Sequence, residues 1–299
     1  MRKMGVDLGY GWVKVYPKKE RFRTSVYPYS SRLGIEEKKG IVIVGGEVFE
    51  VGRARSVELR TKGFHNSPEW KALLFWALRE HTDTPLDLVM GLPVSGATKE
   101  VREGLEEELK GEHIAIIDGE KKRVVIRNIK VIPQGMGVLY DYFIENGSLV
   151  KERTEESIVV IDVGFYTTNV FVYRHGEVLE DRCSSYELGA GWLFEQIREE
   201  LKTKYSYPSI SLKEVEEFYR RGYFPYEGKK IPIDREEKLR EFKSRLIKEL
   251  RAHEEDLKLS DRILWAGGGS LLLGVDTVPD PEFANARGYF KLAGMIFGE

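Results

Sequence analysis

The stretch Asp7-Leu8-Gly9-Tyr10-Gly11-Trp12-Val13-Lys14 follows an apolar run and leads into a second run of β-branched residues. This order predicts a strand that ends in an aspartate, a tight glycine turn and a returning strand. Glycines beyond a strand leave backbone N–H groups free to face a phosphate, and the Asp7 carboxylate can hold the water shell of Mg²⁺. The Lys14 ammonium can reach the same anion. Taken alone, the stretch is more typical of a β-hairpin with an aspartate-stabilised turn.

The same pattern returns 155 residues later in the chain. Ile161-Asp162-Val163-Gly164 again closes a β run with an aspartate and enters a turn through glycine, and the next run ends at Tyr173 as the first ends at Tyr16. Both aspartates stand at the carboxyl ends of predicted strands, which is where open α/β sheets bind their ligands. The repeat is a weak sign of an internal duplication that gives two related α/β units.

Two other segments contain residue types that suit a nucleotide. Ile132-Pro133-Gln134-Gly135 carries a glutamine whose amide can hold a water in line with a phosphorus atom, although a lone glutamine is most often an ordinary polar residue at a helix start. Ile263-Leu264-Trp265-Ala266-Gly267-Gly268-Gly269-Ser270 is a predicted strand that runs into three glycines. This run permits close approach of a flat or anionic group, with Ser270 as a candidate cap for a following helix, or it is a flexible turn. The chain has no Gly-x-x-x-x-Gly-Lys-Ser/Thr loop, so a nucleotide would need another architecture.

Composition excludes several classes of function. With 47 Lys and Arg against 49 Asp and Glu in 299 residues, the net charge of −2 lacks the basic excess of a duplex-coating protein, and no direct nucleic-acid binding is expected. No apolar run reaches the roughly 18 residues of a membrane span, so we expect a cytoplasmic chain without a membrane partner. The single cysteine, Cys183, and five scattered histidines argue against a disulfide, a zinc site or a Cys/His nucleophile. High Glu and Lys usage with little Cys and Met is typical of hyperthermophile proteins.

Local patterns predict an α/β protein with a partly parallel sheet in each of two units. The β-branched runs predict strands at residues 4–7, 13–16, 41–44, 86–90, 114–117, 124–131, 158–162, 169–173 and 262–265. Capping residues and apolar stripes predict helices from Ser67, over 98–109, from Gln134 to Gly147, over 190–205, from the Ser211/Glu214 capping box, and from Asp234 with a stripe reaching Leu257. The polar run 151–156 is the predicted boundary between the two units.

In this order, the four segments resemble the motifs of the actin and ribonuclease H-like ATPase superfamily. The stretch from Asp7 to Lys14 is similar to the first phosphate loop, Pro133-Gln134-Gly135 to the first connecting segment, Asp162 to Asn169 to the second phosphate loop, and Ala266-Gly267-Gly268-Gly269 to the adenosine motif. Three further details resemble the short prokaryotic actins, the plasmid-segregation ParM proteins and their archaeal relatives: Tyr10, Gly91-Leu92-Pro93-Val94 and Phe283-Ala284-Asn285-Ala286-Arg287-Gly288-Tyr289. The length of 299 residues favours the same branch.

The resemblance implies an actin-like two-lobed fold, in which two duplicated ribonuclease H-like α/β domains enclose a nucleotide cleft. Domain I would be residues 1–152, with the C-terminal helix 281–299 returning to it, and domain II residues 153–280. The implied phosphate contacts come from Gly9, Tyr10, Gly11 and Lys14 on one side and from Gly164, Phe165, Tyr166 and Thr167 on the other. Asp7 and Asp162 would hold Mg²⁺ mainly through water, Gln134 would orient the attacking water, and Gly267, Gly268 and Gly269 would lie against the adenosine. Phe165 and Tyr166 are bulky where many relatives have Gly and Thr, and Asn169 replaces a frequent Asp.

The function implied by the resemblance is slow hydrolysis of ATP, or GTP, with Mg²⁺, coupled to polymerisation. The partner would be the chain itself, head to tail in a cytomotive filament that moves plasmid or other DNA through a DNA-bound adaptor protein. The alternative is a small-molecule kinase of the same fold, although no obvious substrate-binding insertion is present. A third hypothesis is a chaperone- or activase-like ATPase; the lone Cys183 disfavours the activases, and no residues remain for a peptide-binding domain.

Overall fold

The structure of the protein, a computed structural model, describes residues 2–29, 40–52, 67–207 and 209–298. In this part of the chain, a nine-stranded and a five-stranded sheet lie on either side of the polar run 151–156 in sequence, and two short hairpins accompany them. None of the described helices is both long and apolar enough to cross a bilayer.

The first large sheet is built from the segments before residue 134. The described strands and helices up to residue 154 are β1 (Arg2–Leu8), β2 (Trp12–Tyr16), β3 (Glu20–Arg23), β4 (Val26–Pro28), β5 (Ile41–Val44), β6 (Glu47–Val51), α1 (Pro68–Leu78), β7 (Leu86–Leu92), α2 (Lys99–Leu109), β8 (Gly111–Ile117), β9 (Glu120–Pro133), α3 (Met136–Phe143), β10 (Ile144–Glu145), β11 (Ser148–Leu149) and α4 (Lys151–Thr154). The strand order is β3-β2-β1-β7-β9-β8-β5-β6-β4. The two central pairings, β1 with β7 and β7 with β9, are parallel. Parallel strands are covered on both faces, and β7 is accordingly buried along its whole length.

The second large sheet repeats this plan on a smaller scale. The remaining described elements are β12 (Ile158–Val163), β13 (Thr168–Arg174), β14 (Glu177–Val178), β15 (Ser184–Tyr186), α5 (Ala190–Tyr205), α6 (Leu212–Arg221), β16 (Tyr223–Tyr226), β17 (Lys229–Pro232), α7 (Arg235–Leu250), α8 (Glu254–Leu259), β18 (Arg262–Ala266) and α9 (Ala284–Ile296). The order is β14-β13-β12-β18, with β15 also paired to β13. Here β12 and β13 are antiparallel, and β12 and β18 are parallel.

The duplication predicted from the sequence is visible in the strand registers. Asp7 at the end of β1 lies opposite Lys14 on β2, and Asp162 at the end of β12 lies opposite Asn169 on β13. The parallel neighbour of each aspartate is a small residue, Gly91 beside Asp7 and Ala266 beside Asp162. Both sheets therefore bring an aspartate to the carboxyl end of a central strand.

Two helices fill the space between the sheets. The apolar residues of α3 pack against the second sheet, and Leu292 and Ala293 of α9 pack against the first. The two helices cross so closely at Gly288 that a Cβ on this residue would overlap the Gly137 carbonyl. The fully buried Tyr289 fills the space beside Gly91, where a Cβ would overlap its hydroxyl. The end of the described chain is thus packed onto the sheet with which the chain begins.

Two of the predicted helices differ from the structure. The helix predicted to run to Gly147 ends at Phe143, because Asn146 and Gly147 adopt left-handed backbone conformations in the turn of the β10–β11 hairpin. The helix from Asp234 ends at Leu250, and a short 3-10 turn separates it from α8. The capping box predicted for Ser211 is confirmed.

Candidate functional site

The first phosphate-loop candidate is the turn that joins β1 to β2. The Gly9 carbonyl accepts a hydrogen bond from the Thr24 hydroxyl, and the Gly11 carbonyl accepts one from the Thr24 amide at 3.1 Å. Lys14 reaches back from β2 and places its Nζ 2.8 Å from Oδ2 of Asp7. The strand register accounts for this ion pair, since the two residues are cross-strand partners.

The second loop candidate joins β12 to β13 and is held by the start of α5. The Gly164 amide donates to the Thr167 carbonyl at 2.8 Å, and the Ala190 amide donates to the Gly164 carbonyl at 3.0 Å. The bulky Phe165 fits because Gly11 faces it from the other lobe; a Cβ there would overlap the Phe165 ring. The absence of a side chain at Gly11 therefore leaves room for Phe165.

Gln134 lies between these two loops, at the end of β9. Its Nε2 donates to Oδ1 of Asp7 at 2.8 Å, so the two oxygens of that carboxylate are bound by Gln134 and Lys14. Gln134 is 6% exposed and Asp7 is 3% exposed. With its amide nitrogen engaged, Gln134 has Oε1 as its remaining polar side-chain atom, and both residues line the same cavity.

The surroundings of the Asp162 carboxylate disfavour its charged form. Burial raises its pKa to about 6, and the nearby Asp7 carboxylate contributes in the same direction. The Lys14 ammonium and a 2.8 Å hydrogen bond from Asn285 Nδ2 to Oδ2 oppose the rise in pKa without cancelling it. A buried carboxylate with a raised pKa favours any bound cation that stabilises its charged form.

The three glycines after β18 fold over the second loop. Gly267 has a left-handed φ of +80°, and a Cβ there would lie 2.5 Å from Oδ1 of Asp162. The Gly269 amide donates to the Val163 carbonyl at 2.8 Å. The prediction that Ser270 caps a following helix is wrong, because its hydroxyl donates back to the Gly267 carbonyl at 2.7 Å within a 3-10 turn.

One cavity of about 320 Å³ lies between the two lobes, and both aspartate loops, Gln134 and the three glycines line it. The residues predicted from sequence line its wall together: Asp7, Gly9, Tyr10, Gly11, Lys14, Gln134, Asp162, Gly164, Phe165, Tyr166, Thr167, Gly267, Gly268 and Gly269. Their roles toward a ligand stay a prediction. The cavity is in the lower part of the size range of ligand pockets.

Several residues of the wall were missed by the sequence analysis. Helix α6 contributes Glu216, Tyr219 and Arg220, the turn before α9 contributes Glu282, and the first turn of α9 contributes Asn285. No motif in residues 211–257 indicates that a helix there lines the cavity. The capping box that begins α6 was the one signal available, and it marks a helix start without indicating which face meets a ligand.

A clasp of side chains joins the lobes at one side of the cavity. We use "clasp" for Trp12, Arg23, Phe165 and Glu216. The Arg23 guanidinium forms an ion pair with Glu216 of α6 and lies over the Trp12 ring at 4.1 Å and the Phe165 ring at 5.4 Å. Arg220 binds the same carboxylate at 2.5 Å. Burial, with Arg220 nearby, lowers the pKa of Arg23 to about 10.

The wall has the donors and acceptors that a magnesium nucleotide requires. The Asn169 Oδ1 atom is buried and has no hydrogen-bond partner within the described residues, although the residue lines the cavity. The described residues contain no group of three acidic, histidine or cysteine side chains able to enclose a metal. Two carboxylates are nevertheless typical of Mg²⁺ that keeps several waters and shares substrate phosphates. The residues therefore fit a magnesium nucleotide better than a metal bound by protein alone.

Two family models match this chain. The model of the N-terminal domain of actin-like proteins matches residues 5–137, and that of the C-terminal domain of the archaeal, MreB-like actin homologue matches residues 160–277. Together they span most of the sequence and both lobes. The chain belongs to the actin-like proteins. A comparison with curated protein sequences found no match.

Solved structures with the same fold include an archaeal actin homologue and ParM proteins. Ta0583, the archaeal homologue, has a TM-score of 0.79 at 23% identity, over 98% of this chain and 99% of that one, and has also been solved in complex with ADP. ParM of a 15-stranded filament from Clostridium botulinum has a TM-score of 0.76 at 21% identity, over 98% and 99%. The psk41 ParM has a TM-score of 0.69 at 20% identity, over 99% and 97%. Within the actin-like proteins, the chain has the fold of the archaeal homologue and of ParM.

Proposed function

We propose that this protein binds ATP with Mg²⁺ in the cleft between its lobes, hydrolyses it slowly, and polymerises head to tail. The observation that carries the proposal is the meeting of both aspartate loops, Gln134 and the glycine run around one cavity. The ADP complex of Ta0583, which has the same fold, supports a nucleotide as the ligand.

The loops suit the phosphate end of the nucleotide. Gly9 and Gly11 of one loop and Gly164 of the other have no side chains that would obstruct a phosphate. Lys14, in the same cavity wall, supplies a positive charge. Asp7 and Asp162 are the residues that would hold Mg²⁺, mainly through water. The metal, when bound, neutralises charge on the phosphates.

Gln134 is the residue that would position the attacking water. Its fixed amide nitrogen leaves Oε1 to accept from a water at the cavity wall. Phosphoryl transfer depends mainly on positioning and charge stabilisation, so a neutral amide is sufficient for this role. The contribution of Gln134 is thus orientation of the water and not removal of its proton.

The glycine run and α6 suit the nucleoside end. Gly267, Gly268 and Gly269 expose flat backbone, and Tyr219 and Glu216 face the same cavity from α6. Whether the base is adenine or guanine is a choice between two donor and acceptor patterns. Parallel titrations with ATP and GTP measure it directly.

Polymerisation is proposed from the filament-forming proteins that share this fold. The Clostridium botulinum ParM forms a 15-stranded filament, and Alp12, which matches with a TM-score of 0.69 at 18% identity, has also been solved as a filament. Repeated heterologous contacts that do not close generate an open filament. Segregation of plasmid or other DNA through a DNA-bound adaptor, and a cytoplasmic location, are parts of the same proposal.

Pelleting and electron microscopy with Mg²⁺ and ATP test the polymer, and phosphate release without an added acceptor tests hydrolysis. We expect filaments, and a release rate per subunit that rises with protein concentration. No polymer over a range of salt and temperature, up to that of a thermophile, would overturn the filament. Phosphate transfer only when a small-molecule acceptor is added would instead favour the kinase alternative.

A further inference from the structure

Asn285 lies at the start of α9, where it contacts both Asp162 of the second loop and the turn at Gly135. Its Nδ2 donates to Oδ2 of Asp162 at 2.8 Å, and its Oδ1 accepts from the Gly135 amide at 2.9 Å. Asn285 is 6% exposed and lines the cavity wall. One buried amide therefore binds the aspartate of the second loop and the backbone next to Gln134.

These bonds complete a continuous chain of contacts across the cleft. Lys14 binds Asp7, and Asp7 binds Gln134. The next residue, Gly135, donates its amide to Asn285, which in turn holds Asp162. The two aspartates belong to different sheets, and this path connects them through side chains and a single peptide.

Gly135 has little freedom to move independently of this path. Its φ is +94°, and a Cβ at this position would overlap the Phe171 ring. The backbone N–H of Gln134 donates to the Leu92 carbonyl at 2.7 Å, which fixes the other side of the turn. Because the backbone is held on both sides, the hydrogen bond to Asn285 sets the distance from this turn to Asp162.

We propose that Asn285 is a positioning residue for hydrolysis: it fixes the Asp162 carboxylate, which would hold the metal, relative to the Gln134–Gly135 turn, which would hold the attacking water. This inference rests on the proposed ATPase function. Asn285 acts here through Asp162 and Gln134 and makes no bond to the reacting atoms itself.

Contacts other than those of the Asn285 side chain attach α9 to the rest of the protein. Tyr289 is buried beside Gly91, and Arg287 Nε donates to Asp141 at 2.8 Å. Lys291 Nζ lies 2.8 Å from the Asp141 carboxylate. The helix is therefore attached to α3 and to the first sheet independently of the Asn285 amide.

Two variants separate positioning from packing. Asn285→Ala removes both hydrogen bonds, whereas Asn285→Asp keeps the size and the acceptor for Gly135 but replaces the donor to Asp162 by a carboxylate oxygen. Lys291→Ala is the matched control, since it weakens α9 docking away from the cavity. Thermal midpoint, fluorescent-nucleotide affinity, and kcat and KM for phosphate release are measured on the full chain.

We expect both Asn285 variants to lower kcat at least about tenfold, with nucleotide affinity and KM changed less than about threefold, because positioning acts on the transition state. Lys291→Ala should lower the thermal midpoint and leave kcat within about twofold. Unchanged kcat in Asn285→Asp, or a loss of kcat in Lys291→Ala equal to that in the Asn285 variants, would overturn the inference alone. Absence of phosphate release from the wild type would overturn the proposed function instead, and this inference with it.

Discussion

Replacement of Asp162 by Asn removes a buried charge and leaves the shape of the residue almost unchanged. The pKa of Asp162 is about 6 in the folded protein, against an ordinary 3.8. At about 1.36 kcal/mol for each pKa unit, the ionised carboxylate destabilises the fold by about 3 kcal/mol. The amide of Asn carries no charge and can still accept from Asn285. The Asp162→Asn variant should therefore be more stable than the wild type at neutral pH when metal and nucleotide are absent.

The sign of the pH dependence follows from the raised pKa. Below about pH 3.8 the carboxyl is protonated in both states. Above that pH the unfolded chain loses this proton first, so the loss of stability builds up between pH 3.8 and the folded value near 6 and is complete above it. The advantage of Asp162→Asn should grow between pH 4 and 7 and then stay constant. With an unfolding entropy of about 2.1 cal/mol/K per residue, 3 kcal/mol corresponds to a rise of about 5 °C in Tm.

Differential scanning calorimetry in EDTA at several pH values measures this difference. Asp181→Asn, at an exposed aspartate of the same lobe, controls for the change in net charge. Parallel pH dependence of Tm for the wild type and Asp162→Asn, or a lower Tm of the variant at pH 7.5, would refute the reasoning. Addition of Mg²⁺ and ATP should raise the Tm of the wild type and reverse the order of the two proteins.

Three other perturbations follow from individual contacts. Gln134→Ala should retain nucleotide binding and polymerisation but slow single-turnover phosphate release at least about tenfold, because the water loses its acceptor; unchanged release would remove Gln134 from this role. Gly11→Ala should weaken fluorescent-nucleotide binding at least about tenfold, since its methyl group would overlap Phe165 and separate the loops; equal affinity would contradict this. Tyr289→Phe should raise the free energy of unfolding in urea by about 1 kcal/mol, because the buried Tyr289 hydroxyl has no partner among the described residues; a lower urea midpoint would show that the hydroxyl is satisfied.

The strands and loops of the site were predictable because their signals are local. The apolar run before Asp162 and the glycine after it lie within a few residues of each other, and both are read directly from the sequence. The contact between Gly135 and Asn285 spans 150 residues. No periodicity or turn signal encodes such a pairing, so Asn285 was identified only as part of a C-terminal resemblance and not as part of the site.

The error at the end of α3 has a different origin, because the signals that decide it are local. Apolar residues continue to Ile144, so the helical pattern extends past Phe143 and the glycine at 147 reads as a C-cap. The structure uses Asn146-Gly147 for a hairpin turn instead, and this choice depends on strand pairing between Ile144 and Leu149. The pairing is local and Asn-Gly is itself a hairpin signal, so the error came from reading Gly147 as a helix C-cap.

The aspartates of the two loops occupy equivalent register positions, but the residues opposite them differ in charge. Across the ladder, Asp7 meets the cation Lys14, whereas Asp162 meets the neutral Asn169. Asp7 thus has its counter-ion in the protein, and Asp162 has no ion pair among the described residues. Lys14 and the hydrogen bond from Asn285 stabilise its charge in part, and its pKa still stays raised. In the proposed function, a cation bound with the nucleotide would therefore stabilise the second loop more than the first.

This asymmetry gives a physical reason for nucleotide to bind between lobes that duplication made alike. The first lobe needs no ligand to satisfy its carboxylate, and the second lobe remains destabilised by Asp162 until a cation is bound. If the proposed Mg²⁺ binds, it would favour the arrangement in which both Asp162 and Asp7 are close to that cation. If Asn169→Lys supplies that cation from the protein, it should raise the metal-free Tm and reduce the further stabilisation by Mg²⁺ and ATP. An unchanged response to Mg²⁺ and ATP in that variant would show that the difference between Lys14 and Asn169 does not control this stabilisation.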